Sequence, residues 1–87
     1  ELYHGTSTVN ADKIMESRLI KPMDRQMVHL SKDIKTAITV GKRHGKIAVF
    51  KVDCKRAYSE GKRFYLSTNG VYLVDKMEVD YLELINV

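Results

Sequence analysis

One cysteine, one proline and no tryptophan stand in this 87-residue chain. A single thiol, Cys54, excludes an internal disulfide. No Cys-x-x-Cys or Cys/His spacing marks a metal site, so no metal is expected. Cys54 then reads as a small inert thiol, in a reducing and therefore cytoplasmic setting. With only Pro22 and five glycines, the chain has no repeat, linker or low-complexity stretch. No apolar run is long enough to span a bilayer, so no membrane is expected as a partner. No basic leader precedes an apolar segment either, although the chain opens at Glu1 and not at a methionine, which weakens that absence. Two kinds of catalytic motif are missing too. "GKRHG" at 41–45 lacks the spacing of a dinucleotide or triphosphatase loop, and no nucleophile elbow is present. The acids scatter along stretches that read as exposed, which disfavours paired-carboxylate chemistry.

What is present suits one small domain. At 44% hydrophobic and 30% charged the composition is that of a soluble globular chain. The net charge of +4 is uneven. Residues 41–63 hold eight Lys/Arg against Asp53 and Glu60, net +6, whereas residues 64–87 are net −3. A local basic segment is the footprint of a polyanion such as nucleic acid or a dinucleotide, or else a solvated face rich in lysine.

Hydropathy patterning predicts an α+β domain with about six strands and two or three short helices. "LYHGTS" (2–7) reads as a strand, and a helix capped by Ser7 or Thr8 follows to residue 17, with Ala11, Ile14 and Met15 on one side. Residues 18–24 form a connection, in which Pro22 ends regular structure. "MVHLS" (27–31) is a strand, and Ser31 is expected to cap the next helix, in which Ile34, Ala37, Ile38 and Gly41 share a face. "KIAVFKVDC" (46–54) is the strongest strand, and "KRAYSEG" is a turn or a short helix. Residues 64–68, 71–75 and 79–87 read as three more strands. Asn69-Gly70 between the first two signals a hairpin. Helices in the first half and strands in the second give an α+β class, not a regular strand–helix alternation.

Three features break the local pattern, where function tends to sit. His4 ends an apolar start in "HGT", and Gly5 lets another group approach the backbone. In "RQMVHLS" (25–31), Val28 and Leu30 point to one side of the strand, while Arg25, Met27, His29 and Ser31 are in phase on the other. In "GKRHG", Arg43 and His44 stand between two glycines, either as an anion-gripping loop or as basic residues complementing a helix end. Together these favour holding an anion and a sugar over acid–base chemistry.

Taken in order, "LYHGT", "RQMVHLS", "VGKRHGK", "FYLSTNGVYL" and "VDYLELI" resemble the tRNA 2′-phosphotransferase family, over nearly the whole chain. The resemblance implies the ADP-ribosyltransferase-like split-sheet fold, with an NAD cleft between two small sheets. It makes residues 1–87 one NAD-binding lobe, whose family partner is an N-terminal winged-helix-like lobe. The implied activity is transfer of an internal 2′-phosphate from spliced tRNA or other RNA to NAD, giving 2′-OH RNA, ADP-ribose cyclic phosphate and nicotinamide. NAD is the expected co-substrate and 2′-phosphorylated RNA the expected partner. His4, His29 and Arg25 carry over as catalytic, His4, Gly5, Thr6, His29, Ser31 and Val71 as NAD-binding, and Arg43 and His44 as phosphate-facing. Val71 would hold the third place of a His–His–hydrophobic signature, where other ADP-ribosyltransferases have a glutamate. Two departures stand out: Arg18 replaces a frequent glycine, and Tyr72 a frequent tryptophan. The alternatives are ADP-ribosyl transfer to a nucleic-acid terminal phosphate, or a non-catalytic NAD- or RNA-binding module.

The implied chemistry suits these residue types. A 2′-phosphate is already an anionic nucleophile and nicotinamide leaves without protonation, so no strong base is required. The site must instead hold two polyanions together, and arginine binds phosphate through its planar fork. A carboxylate beside the incoming phosphate would repel it.

Overall fold

The structure is a computed structural model that describes residues 1–22, 27–42 and 45–85. The elements run β1 (Leu2–Ser7), α1 (Thr8–Ser17), β2 (Leu19–Ile20), β3 (Val28–Leu30), α2 (Ile34–Gly41), β4 (Ile47–Val52), α3 (Cys54–Ser59), β5 (Tyr65–Leu66), β6 (Tyr72–Val74), β7 (Met77–Glu78), a 3₁₀ turn (Val79–Tyr81) and β8 (Leu82–Ile85). The class is α+β, as the patterning predicts. The strands form a three-stranded sheet in the order β1-β4-β8, a second in the order β3-β6-β5, and a ribbon of β2 with β7. All the pairings are antiparallel.

Local chemistry explains most of these elements. Ser7 caps α1, its side chain accepting from the Asn10 N–H at 3.1 Å. Ala11 and Ile14 turn inward from that helix. Ser67 to Gly70 make a tight turn, closed by the Gly70 N–H on the Ser67 carbonyl at 3.1 Å, with Gly70 left-handed at φ 84°. This is a type I turn with a glycine bulge, the longer form of hairpin that an Asn-Gly pair permits.

The β1-β4-β8 sheet has two different faces. Leu2, Phe50, Val52 and Ala48 point into the main core, where Ile14, Ile20, Val28, Leu30, Val74 and Met77 join them. Each large side chain buried there contributes roughly 1.5–3 kcal/mol. The other face is covered by α2, whose inward residues are Ala37 and Gly41. A Cβ on Gly5 would lie 1.8 Å from the Ala37 carbonyl oxygen, and one on Gly41 3.0 Å from that of Thr6. Helix and strand therefore meet backbone to backbone.

Four expectations need correction. Asp33 caps α2, accepting from the Thr36 N–H at 2.7 Å. Ser31 cannot, because both its main-chain groups bond Tyr3, at 2.7 and 2.8 Å. Residues 18–24 are not only a connection, since β2 lies there and pairs with β7. The last strand, expected over 79–87, starts only at Leu82, because Val79–Tyr81 is a 3₁₀ turn, and the short β7 precedes that turn. Ile34 is exposed, so the inner face of α2 is narrower than its apolar pattern suggests.

Candidate functional site: the seam between two sheets

Among the described residues β1 and β3 pair at one point, an antiparallel bridge of Tyr3 with Ser31. Antiparallel strands alternate the side on which their main-chain groups bond. The Thr8 N–H bonds the Lys46 carbonyl at 2.8 Å, so Leu2, His4 and Thr6 turn their main-chain groups toward β4. Tyr3 turns the opposite way, toward Ser31. Gly5 is in phase with Tyr3, so its N–H and C=O turn toward where the ladder with β3 would run on. The ladder stops instead. The His29 carbonyl, which would face Gly5, is held by His4 Nδ1 at 3.1 Å. The two sheets thus split at this seam, with a histidine ring standing in for a main-chain rung.

Both imidazoles are oriented by main-chain oxygens. His29 Nδ1 lies 3.1 Å from the Met27 carbonyl. A carbonyl only accepts, so each Nδ1 carries the hydrogen, and in the neutral ring the lone pair is on Nε2. Each ring is half-buried. His29 stands opposite Leu73 on β6, and Val28 and Leu30 on either side of it anchor the strand in the core. The expected alternation of β3 is therefore what the structure has.

Most other residues singled out by sequence come near the same seam. Ser31 is the bridge residue itself. The β3–β6 register, carried one step past Leu30 and Tyr72, sets Val71 beside Ser31. Val71 is fixed in the turn by its N–H on Ser67 Oγ at 3.1 Å. Thr6 is buried on β1, one residue beyond Gly5. The group that approaches Gly5 closely is the Ala37 carbonyl, on the α2 side; its main-chain edge faces the seam. Arg25, Arg43 and His44 lie outside the described residues.

Sequence comparison bears on this geometry. A family profile described as "RNA 2'-phosphotransferase, Tpt1 / KptA family" matches residues 1–76. The chain belongs to the RNA 2′-phosphotransferase family. It is 53% identical over 85 residues to a protein named "Probable RNA 2'-phosphotransferase" from Trichormus variabilis, which covers 98% of this chain and 46% of that protein. Proteins of the same name from Hahella chejuensis and Agrobacterium fabrum are 45% and 46% identical, over 99% and 94% of this chain and 46% and 44% of their own. The chain thus spans less than half the length of these relatives.

In this family member the basic segment is less free than its composition suggests. Lys51 pairs with Glu1 at 3.4 Å and Arg56 with Glu60 at 3.1 Å. Lys62 Nζ is nearly buried, 2.9 Å from Glu78 and 3.6 Å from Asp75. Burial pushes the Glu78 carboxyl up, but the Lys62 hydrogen bond and charge hold it, on balance, below its ordinary pKa. Burial pushes the Cys54 thiol up, which disfavours the reactive thiolate. Among the described residues no group of three His, Cys, Asp or Glu side chains is set to hold a metal, and no helix is long and apolar enough to cross a membrane.

Two features have no signal in the sequence. One is the direction in which the Gly5 main-chain edge turns, which no residue type encodes. The other is a groove of about 480 Å³ at the Leu2 end of β1, where Lys55 and Tyr58 of α3 meet Lys32, Phe64 and Tyr72 from other segments. Only the fold brings these together, so no local motif could have marked the groove.

Proposed function

We propose that this chain is the NAD-binding lobe of an NAD-dependent RNA 2′-phosphotransferase with an ADP-ribosyltransferase-like split-sheet fold. The observation that carries the reading is the seam: His4 and His29, each held by a main-chain carbonyl, at the place where β1 and β3 part. Family membership over residues 1–76 points the same way.

The residues suit NAD. A carboxamide presents a carbonyl acceptor and an NH2 donor group side by side, and the Gly5 edge offers one N–H and one C=O that can meet them. Ribose hydroxyls need polar groups held in place, and His4 and His29, each oriented by a main-chain carbonyl, are such groups. Ser31 and Val71 would line the same cleft, with Thr6 beyond Gly5. Arg25, four residues before His29, would grip the transferring phosphate by its fork, with Arg43 and His44 on phosphate as well. When bound, NAD supplies the acceptor for the 2′-phosphate, with release of nicotinamide. The chain's own contribution is to orient sugar and phosphate and to screen their repulsion, the terms that dominate phosphoryl-transfer catalysis. The product RNA would carry a free 2′-hydroxyl.

The test uses the full-length protein, an RNA with one internal 2′-phosphate, and NAD. Loss of the 2′-phosphate and release of nicotinamide should both require NAD and occur in equal amounts. Loss of the phosphate without NAD would reject the reading.

A further inference from the structure

The groove at the Leu2 end of β1 has a composition suited to a single-stranded nucleotide. Tyr58 is 72% exposed, an unusual state for a large aromatic side chain. Phe64 and Tyr72 line the same groove, half-buried, and Lys32 and Lys55 stand at it, exposed. Neither lysine forms an ion pair among the described residues, whereas the one acid lining the groove, Glu1, is paired with Lys51. The groove therefore presents positive charge beside aromatic faces. Flat rings that stack on bases, with cations for the backbone, are how proteins hold unpaired RNA.

Its position matters as much as its chemistry. Leu2 lines the groove and His4 lies two residues on, pointing to the same face of β1. That separation is roughly 6.6 Å along a strand, within the span of one nucleotide. Lys32 directly follows Ser31, which bridges the seam. The groove thus lies one or two residues along the chain from the seam, at the end of β1 away from Gly5.

We infer that this groove holds the nucleotide next to the 2′-phosphorylated one, with its base against Tyr58 and its flanking phosphates on Lys32 and Lys55. The inference rests on the proposed 2′-phosphotransferase function and adds the substrate track to it. An unpaired, splayed-out nucleotide would fit the groove, and a base locked in a continuous duplex would not.

Binding of a fluorescent single-stranded RNA with one internal 2′-phosphate to the full-length protein, without NAD, tests this. Tyr58→Ala should weaken binding by about fivefold to a hundredfold, and Tyr58→Phe should restore most of it, because the ring remains. Lys32→Gln with Lys55→Gln should flatten the slope of log affinity against log salt by about 0.7 for each phosphate no longer neutralised. NAD affinity, measured separately, should hold in all these variants and shows that they are folded. Unchanged RNA affinity and salt slope in the variants would overturn the inference. So would a loss of self-association in Tyr58→Ala with RNA affinity intact, which would make the groove a contact between copies. Transfer of the 2′-phosphate by the unaltered protein is scored in its own assay, so failure of the function and failure of the groove give different results.

Discussion

Removing the His4 ring would take its hydrogen bond from the His29 carbonyl at the seam, and under the proposed function it would also take a group that holds NAD. His4→Ala should therefore weaken NAD binding tenfold or more, read by calorimetry. Its cost in folding stability, read by urea unfolding, should be only about 1 kcal/mol, because the lost hydrogen bond is partly solvated. A large stability loss with NAD affinity intact would make His4 a structural residue. At this scale the sequence is informative about β3. Val28 and Leu30 are buried and His29 is on the other side, as strict alternation requires. It is silent on the contact between His4 and His29. They are 25 residues apart, and the partner is a main-chain oxygen that any residue would provide.

Helix α1 ends at a residue that fits its conformation poorly. Arg18 is left-handed, φ 64°, and its N–H closes the helix on the Ile14 carbonyl at 2.7 Å. The sequence marks this place, since glycine is frequent there in the family the chain resembles. An L-residue with a Cβ loses about 1 kcal/mol or more in that region, and glycine does not. Arg18 also pairs with Asp80 at 3.1 Å, but both side chains are exposed, so the pair contributes little. Arg18→Gly should accordingly stabilise the protein by about 0.5–1 kcal/mol, seen as a higher urea midpoint at unchanged slope.

The packing of α2 on β1 predicts the opposite response at Gly5. A methyl group there would meet the Ala37 carbonyl oxygen, which is backbone and cannot swing aside. Gly5→Ala should cost about 3 kcal/mol or more, or prevent soluble expression. Gly41→Ala should be milder, because its nearest contact, at 3.0 Å, needs a smaller shift. Elements with strong periodicity or punctuation, such as α1, β4 and the Asn69-Gly70 hairpin, are legible in the sequence. The two-residue strands β2 and β7 are not. They pair Leu19 with Glu78 across the length of the chain, and two residues are too few to show a period. The cap of α2 is ambiguous in sequence because Ser31 and Asp33 are both good caps, and only the bridge to Tyr3 decides between them.

Across the whole molecule, Lys62 ties the segment after α3 to β7 through Glu78 and to the β6–β7 turn through Asp75. The charge distribution marks residues 41–63 as basic, but sequence does not show which cations face acids of another segment. Because the folded Glu78 carboxyl titrates below its ordinary value of 4.5, its contribution is present above that pH. It is lost as pH falls through the folded value. Lys62→Met should therefore reduce the drop in urea midpoint between about pH 6 and about pH 3. An equally steep drop in that variant would show that other carboxylates carry the acid sensitivity.

The fate of the phosphorus decides the proposed function. The most direct measurement is mass spectrometry of the products after the full-length protein acts on an internally 2′-phosphorylated RNA with NAD. The account predicts RNA lighter by one phosphate, with that phosphate recovered as ADP-ribose cyclic phosphate beside free nicotinamide. Recovery of inorganic phosphate with NAD intact, or of RNA that keeps its phosphate and gains an ADP-ribose, would contradict it.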